Sequence, residues 1–256
     1  MPFHFQIMFE TINAGGLNIQ YHPVLSLATL GEDTGIVVDS GYDVTQVVPI
    51  KDGLVMYNQM KEIEIGGSHL TEYLMRRLAD RGHSLLKDQG LQIARDIKEK
   101  LCYVAEDDDW QKLIRKALEK KYRLPGGSEI SIGALTFSCP EALFRPQIIG
   151  IPLEGIHKLT FEALTSCDED CQEKIRNNVL LNGGNTLFDG FATRFENELV
   201  RLSPKTVTVR VLPPSLRQHA VFFGGALLAN SMEADMWISK HDYEENGPNI
   251  IRQKCR

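Results

Sequence analysis

The chain has 256 residues, of which 43% are hydrophobic, and a formal net charge of −6 at pH 7. This length allows one large domain or two small ones with a buried core, and the negative charge argues against electrostatic binding of nucleic acid. We expect neither a membrane span, which needs an apolar run of roughly 20 residues, nor a signal peptide at residues 1–9. Five scattered cysteines indicate reduced thiols and a reducing cytosol or nucleus.

The first part of the chain predicts two helical pieces and then a hairpin. Residues 3–30 mix apolar residues with Gly15, Gly16 and Pro23, a pattern typical of two helical pieces separated by a loop. Residues 35–50 contain two runs rich in Val and Ile, joined by a short polar turn. These runs predict two buried β-strands.

The turn of this hairpin is a candidate phosphate site. Asp39 ends the first strand, and Ser40, Gly41 and Tyr42 follow it. Successive backbone amides in a turn can form a nest that binds an anion, and a neighbouring carboxylate can orient a hydrated Mg²⁺. An ordinary polar hairpin turn is the alternative interpretation, because such turns are common.

Strands, glycine turns and helices alternate after the hairpin. Residues 54–56 predict a third strand, and Gly66-Gly67 opens a helix that continues through Arg81. Residues 91–104 have the periodicity of an amphipathic helix. Residues 106–121 are acidic at their start and basic at their end, as expected of a helix that complements its macrodipole.

The second half of the chain predicts a further glycine-rich turn. A strand at residues 178–182 ends in Gly183-Gly184, and a helix over residues 191–202 follows, an arrangement that brings backbone amides near a phosphate or ribose. The other predicted elements are a hairpin of 129–132 with 136–139, a short helix that starts at Pro140, an apolar loop at 148–151, helices over 153–165 and 169–177, a strand at 207–212, and a glycine-centred turn into a helix within 220–229.

The quoted segments carry a resemblance to a known family. The chain resembles the actin and actin-related protein family over nearly its whole length, and such long collinear matches are more specific than a short motif. The matching segments are residues 6–11, 34–50, 70–75, 95–105, 139–144, Asn182-Gly183-Gly184-Asn185-Thr186 and Met236-Trp237-Ile238-Ser239-Lys240.

The resemblance implies an α/β fold of the actin-like ATPase, ribonuclease H-like kind. It implies three parts: residues 1–34 as the hinge and remnant of a first lobe, 35–218 as the second lobe, and 219–256 as C-terminal elements of the first lobe. In the family, a glycine-rich phosphate loop and a small pointed-end subdomain precede the point where this sequence starts. We therefore expect an N-terminally truncated member with one complete lobe.

The resemblance also implies a site for ATP or ADP with Mg²⁺. Asp39 is the expected metal-side carboxylate, acting through water. The expected nucleotide-binding residues are Asp39, Ser40, Gly41, Tyr42, Asp43, Val44, Gly67, Lys98, Glu99, Gly183, Gly184, Leu187 and Phe188.

Several positions depart from the family pattern. His22 takes the place of the glutamine that positions the attacking water, and Gln46 takes the place of the supporting histidine. Gln218 replaces a lysine that packs over the adenine, and Ser68-His69 replaces an Arg-Asp pair. The exchange of His22 and Gln46 argues against normal hydrolysis, so neither residue is assigned a catalytic role.

The resemblance leaves three interpretations of function open. The first is a non-catalytic cytoskeletal protein, cytoplasmic or nuclear, that contacts a protein partner or filament. Loss of about 5 kcal/mol of phosphate-loop contacts would weaken nucleotide binding more than a thousandfold, which favours this interpretation. The second is an adenine-nucleotide-binding module or slow ATPase completed by a partner, and the third is an incomplete gene model of such a protein.

The first interpretation requires a contact surface. In the family, the C-terminal elements pack against the sheet of the first lobe, so their apolar residues are expected to be exposed here. The expected surface consists of Val221, Phe222, Phe223, Leu227, Leu228, Trp237 and Ile238. The apolar loop containing Ile148, Ile149 and Ile151 could contact a filament neighbour or fold into its own core.

Overall fold

The computed structural model describes residues 5–83, 87–106, 115 and 120–250. The strands are β1 Gly16–Leu17, β2 Gly35–Ser40, β3 Thr45–Lys51, β4 Leu54–Val55, β5 Lys61–Ile63, β6 Lys121–Arg123, β7 Glu129–Ser131, β8 Val179–Asn182, β9 Val211–Leu212 and β10 Ile238–Ser239. The α-helices are α1 His22–Ala28, α2 Gly67–Asp80, α3 Lys87–Leu101, α4 Leu135–Glu141, α5 Ile156–Ser166, α6 Glu169–Asn177, α7 Phe191–Leu202, α8 Ala220–Ser231 and α9 Lys240–Asn246.

A mixed sheet of six strands organises the molecule. Its order is β4-β3-β2-β8-β9, and β5 also pairs with β3. The β2–β3 pair is antiparallel, from Gly35 opposite Ile50 to Ser40 opposite Thr45, which confirms the predicted hairpin. β8 lies parallel to β2 on its other side. The mixture of parallel and antiparallel strands with covering helices confirms the expected α/β class.

Both faces of the central strands are buried. On β2, Ile36 and Val38 belong to the larger hydrophobic core, whereas Val37 belongs to a smaller cluster with Leu27 of α1. On β8, Leu181 belongs to the larger core and Leu180 to the smaller cluster. Because successive side chains of a strand point to opposite faces, a strand covered on both sides needs a continuous apolar run. This is the pattern that made β2 and β8 recognisable in the sequence.

The predicted hairpin of residues 129–132 with 136–139 is wrong. β7 pairs instead with β6, and residues 136–139 lie in α4. Pro140 therefore lies near the end of a helix rather than at its start. Proline has no amide hydrogen, so the Thr136 carbonyl four residues earlier loses its helical donor. That carbonyl accepts the Tyr103 amide at 2.9 Å instead.

The predicted glycine-centred turn within residues 220–229 is also wrong, because α8 is a continuous helix through Gly224 and Gly225. Gly224 lies where α8 packs against α1. A Cβ atom at Gly224 would lie 1.6 Å from the Leu25 carbonyl oxygen, a distance that no side chain could occupy. The glycine thus permits close approach of two helix backbones.

The apolar residues near the C-terminus do not share one environment. Phe222 is 75% exposed, and Phe223 and Leu227 on the same helix are also exposed, as expected. The expectation is wrong for Ile238, which is 1% exposed and packs with Phe9 in a small separate core. The remaining expected surface residues, Val221, Leu228 and Trp237, are half-buried. Exposure is therefore concentrated on the outer face of α8.

Other elements differ from the prediction in their bounds. Ile148, Ile149 and Ile151 are half-buried and pack against the main core. The strand expected at 207–212 is limited to β9. Most of the predicted helix over 106–121 lies outside the described residues. In the part of the chain that the structure describes, no helix combines the length and apolar character needed to cross a membrane.

Candidate functional site

Asp39 lies at the end of β2, directly opposite Asn182 at the end of the parallel strand β8. The Asn182 amide Nδ2 donates to Asp39 Oδ2 at 2.8 Å and to Ser26 Oγ at 3.1 Å. His22 Nδ1 lies 3.3 Å from the same Asp39 Oδ2. One carboxylate oxygen is therefore held by two side chains, neither of which had been assigned to it from the sequence.

Gly183 gives the other carboxylate oxygen room. It has a φ of +85°, and a Cβ atom there would lie 2.5 Å from Asp39 Oδ1 and 2.3 Å from the Ser40 carbonyl oxygen. Any side chain would collide with both groups. The Gly183-Gly184 turn after β8 and the turn of residues 40–43 after β2 therefore lie in direct contact, and they are called the two glycine turns below.

The turn between β2 and β3 is fixed by an internal polar network. The fully buried Ser40 hydroxyl lies 2.8 Å from Thr45 Oγ1, which donates to the Ile65 carbonyl at 2.7 Å. Asn185 Nδ2 donates to Ser40 Oγ at 3.0 Å and to the Gly41 carbonyl at 2.7 Å. The Ser40 side chain is thus fully engaged in joining the two glycine turns.

The predicted nest of amides is partly engaged as well. The Gly41 amide donates to the Val44 carbonyl at 3.0 Å and closes the turn. Tyr42 and Asp43 are exposed, and no acceptor for their amides occurs among the described residues. A phosphate at this turn would therefore meet these two amides.

The start of α2 faces the same turn but donates to it. The Gly67 amide donates to the Gly41 carbonyl at 3.0 Å, and the Ser68 amide donates to the Tyr42 carbonyl at 2.7 Å. These bonds satisfy two of the amides that a helix start leaves without helical acceptors. The start of α2 therefore positions the turn rather than offering amides to an anion.

Lys98 and Glu99 lie at the end of α3 beside this junction. Lys98 is 6% exposed, and its Nζ donates to the Gly67 carbonyl at 2.6 Å. Burial lowers the pKa of Lys98 because it disfavours the charged ammonium. Glu99 Oε1 accepts from Arg95 Nε at 2.8 Å. Both predicted ligand side chains already have protein partners.

A cavity of about 540 Å³ lies where these segments meet. Its volume suits a nucleoside-sized ligand, since ligand pockets span roughly 300–1,000 Å³. The predicted residues in its wall are Gly41, Tyr42, Gly67, Lys98, Glu99, Gly184, Leu187 and Phe188. The others, namely Asp39, Ser40, Asp43, Val44 and Gly183, lie outside this wall, at or behind the adjoining turns.

Additional residues complete the wall. Arg95, Asn185 and Gln218 also line the cavity. Arg217 donates to Thr186 Oγ1 at 2.9 Å and to the Thr186 carbonyl at 2.7 Å, and so braces the segment that carries Leu187. Sequence reasoning had not given Asn182 or Asn185 a role, although their position beside Gly183-Gly184 was an available signal.

His22 and Gln46, the two residues that differ from the family's hydrolysis pattern, both contact other side chains of the chain. His22 contacts Asp39, as described above. Gln46 Oε1 accepts from the Tyr21 hydroxyl at 3.3 Å, and its Nε2 donates to Glu62. These contacts direct both side chains toward protein groups and do not position either one to bind a water molecule.

A hydrated Mg²⁺ is chemically compatible with Asp39. Mg²⁺ favours oxygen ligands and often keeps several waters while using one or two carboxylates. No group of three or more His, Cys, Asp or Glu side chains that could hold a metal occurs in the described ranges. The donor set therefore fits an ion bound mainly through water and phosphate.

The comparison with known families assigns the fold. A family model described as Actin matches residues 4–256. The chain belongs to the actin family. Its mixed sheet and covering helices are those of the actin-like ATPase fold, and the two glycine turns meet at the edge of that sheet where β2 and β8 end. The division of this actin-family chain into parts 1–34, 35–218 and 219–256 stays a prediction.

Proposed function

We propose that this actin-family chain is a structural component of a cytoskeletal assembly, cytoplasmic or nuclear, and that its adenine-nucleotide site binds ATP or ADP with Mg²⁺ weakly and without turnover. The observation that carries the proposal is the contact of Asp39 Oδ2 with both His22 and Asn182. One oxygen of the expected metal-side carboxylate, Oδ2, already has two polar partners, so hydrated Mg²⁺ has to share Oδ2 with them or approach through Oδ1.

Weak binding follows from the same kind of engagement at other groups. Lys98 bonds to Gly67, and Glu99 bonds to Arg95. Exchanging these two bonds at about 1 kcal/mol each would weaken binding roughly thirtyfold. The cavity, its apolar residues Leu187 and Phe188, and the amides of Tyr42 and Asp43 support retention of some binding.

The absence of turnover is proposed from His22 and Gln46. Hydrolysis requires a group within hydrogen-bond reach of the attacking water. His22 Nδ1 contacts Asp39, and both ends of the Gln46 amide contact Tyr21 and Glu62. These contacts orient the two side chains toward the protein.

The structural role is proposed from the outer face of α8. Phe222, Phe223 and Leu227 are exposed together on this helix. Contiguous large apolar side chains on a surface are characteristic of a contact with another protein. The half-buried isoleucines at Ile148, Ile149 and Ile151 contribute less, because they pack against the chain's own core.

A slow or partner-completed ATPase is the second candidate. It is favoured by one observation, namely that the cavity and the Asp39 carboxylate lie beside each other, with Gly183 making room for Asp39 Oδ1. In that case a partner chain would supply the remaining phosphate contacts. The α8 surface would then serve as part of the partner's contact.

Phosphate release from Mg²⁺·ATP by the purified chain separates the two candidates. We expect no release above that of an Asp39→Ala variant. The double variant His22→Gln with Gln46→His restores the family's residue types at these positions. Its phosphate release is measured in the same assay to find out whether this change increases turnover. Turnover by the unaltered chain that disappears in Asp39→Ala would overturn the proposal.

A further inference from the structure

Lys98 is the only buried lysine among the residues that the structure describes. Its side chain lines the cavity of about 540 Å³ while the residue as a whole is only 6% exposed. The ammonium can donate three hydrogen bonds. One is made to the Gly67 carbonyl at 2.6 Å. The amine is thus fixed at the cavity wall with donor capacity that this bond leaves unused.

The charged surroundings of Lys98 leave its ammonium weakly compensated. No carboxylate in the described ranges lies within ion-pair distance of Nζ. The titratable groups around it are Arg95 and Glu99 on α3, Cys102 just beyond α3, and Cys139 on α4. Burial is the main cause that lowers the pKa of Lys98, and the positive charge of Arg95 acts in the same direction, whereas Cys139, Glu99 and Cys102 oppose it.

A lysine in this environment has a larger neutral fraction than an exposed lysine. The neutral amine is the nucleophilic form, and burial is a known route to reactive lysines. Lys100 provides an internal contrast because it lines the same cavity but is exposed and pairs with Asp96 at 2.8 Å. Two lysines with different environments therefore face one cavity.

We propose that the Lys98 amine is a covalent modification site for small aldehydes that enter the cavity. The amine nitrogen adds to the aldehyde carbon, the carbonyl oxygen leaves as water, and a carbon–nitrogen double bond remains. No oxidant or reductant is consumed. An aldehyde that also carries a phosphate is the preferred class, and this preference rests on the proposed phosphate contacts of the Tyr42 and Asp43 amides.

The test uses the full chain with two probes, pyridoxal and pyridoxal 5′-phosphate. Cyanoborohydride supplies hydride to the imine carbon and makes the adduct permanent, so that mass spectrometry of peptides locates it. We expect labelling of Lys98 to exceed that of Lys100 by about tenfold at neutral pH. Lys98→Arg, which keeps the cation and a donor to Gly67, should abolish the dominant adduct, whereas Lys100→Arg should leave it unchanged.

Labelling spread over exposed lysines with an unmodified Lys98 peptide would overturn the inference, and so would loss of the dominant adduct in Lys100→Arg. The peptide map of the unaltered chain decides the point even if Lys98→Arg fails to fold. Failure of the proposed nucleotide function has a different signature. In that case pyridoxal and pyridoxal 5′-phosphate label Lys98 equally, and adding ATP to the reaction does not reduce the labelling. The Lys98 adduct itself still forms.

Discussion

The two glycine turns around Asp39 and the outer face of α8 differ in how their side chains find partners. At the turns, polar groups such as Ser40, Asn185 and Lys98 are bonded within the chain. On α8, Phe222 and Leu227 face solvent, while Gly224 on the opposite side contacts α1 closely. Polar groups are expensive to bury without partners, whereas exposed apolar groups gain by acquiring one. The polar side chains of the first region therefore have partners within this chain, whereas we propose that the apolar side chains of the second contact another molecule.

The largest effect is expected where the interior depends on a buried ion pair. Arg194 and Glu141 are each only 3% exposed in their side chains and lie 3.2 Å apart. Arg194→Met leaves Glu141 with a buried charge whose main partner is gone, and should lower the free energy of unfolding by about 3–5 kcal/mol. Urea denaturation measures this change.

Arg201→Met is the matched control. Arg201 pairs with Glu198 at 3.3 Å but is 57% exposed, so its loss should cost less than about 1 kcal/mol. Equal costs for Arg194→Met and Arg201→Met would contradict the claim that interior partners determine stability.

The contact between α8 and α1 gives the next largest effect. Gly224→Ala places a methyl group into the Leu25 carbonyl and should destabilise the chain by roughly 3 kcal/mol, at the upper end of overpacking costs. Gly225→Ala meets only Leu25 Cδ1 at 3.8 Å and should stabilise the helix by about 0.5–1 kcal/mol. Thermal unfolding of the two variants should therefore shift in opposite directions, and a shared direction would disprove the close crossing.

His157 gives the interior a specific pH dependence. Its Nδ1 is buried without a hydrogen-bond partner among the described residues, and burial lowers its pKa from 6.5 to about 4. The unfolded chain therefore takes up the proton first as the pH falls, and stability is lost between pH 6.5 and about 4. Between pH 7 and pH 5, titration of this histidine should lower the free energy of unfolding by about 2 kcal/mol.

Urea denaturation of His157→Phe at both pH values tests this linkage, because phenylalanine keeps the ring contact with Phe144 and removes the titrating group. The drop in stability should shrink by about 2 kcal/mol. His241→Phe, at an exposed histidine, should retain the full drop. An unchanged drop in His157→Phe would show that His157 is not the group responsible.

The smallest effect is expected on the outer face of α8. Phe222→Ala should change the free energy of unfolding by no more than about 0.5 kcal/mol. Phe195→Ala, at a fully buried ring, should cost about 3–5 kcal/mol. A large cost for Phe222→Ala, dependent on protein concentration, would mean that copies of this chain already cover the surface.

Local patterns predicted the elements that carry the site but not the contacts between them. The Val and Ile runs identified β2 and β3, and Gly183-Gly184 identified the second turn. The parallel pairing that places Asp39 opposite Asn182 joins residues 143 positions apart, and no local pattern encodes such a pairing. The contact of Asn182 with Asp39 was missed for this reason.

Two errors have a related physical cause. Residues 136–139 alternate polar and apolar side chains as a strand does, but their packing against α2 and α3 selects a helix. Gly224-Gly225 resembles a turn because glycine is common in turns, although here its missing side chain serves a helix crossing. Both outcomes depend on neighbours that are distant in the sequence.

Calorimetric titration of Mg²⁺·ATP into the purified chain tests the central claim, which is that internal partners occupy the nucleotide site. The predicted result is weak binding that saturates only near millimolar nucleotide, corresponding to about −4 kcal/mol. His22→Ala should strengthen it by freeing Asp39 Oδ2, and Asp39→Ala should abolish it. Saturation of the unaltered chain at micromolar nucleotide, lost in Asp39→Ala and not improved in His22→Ala, would contradict the account.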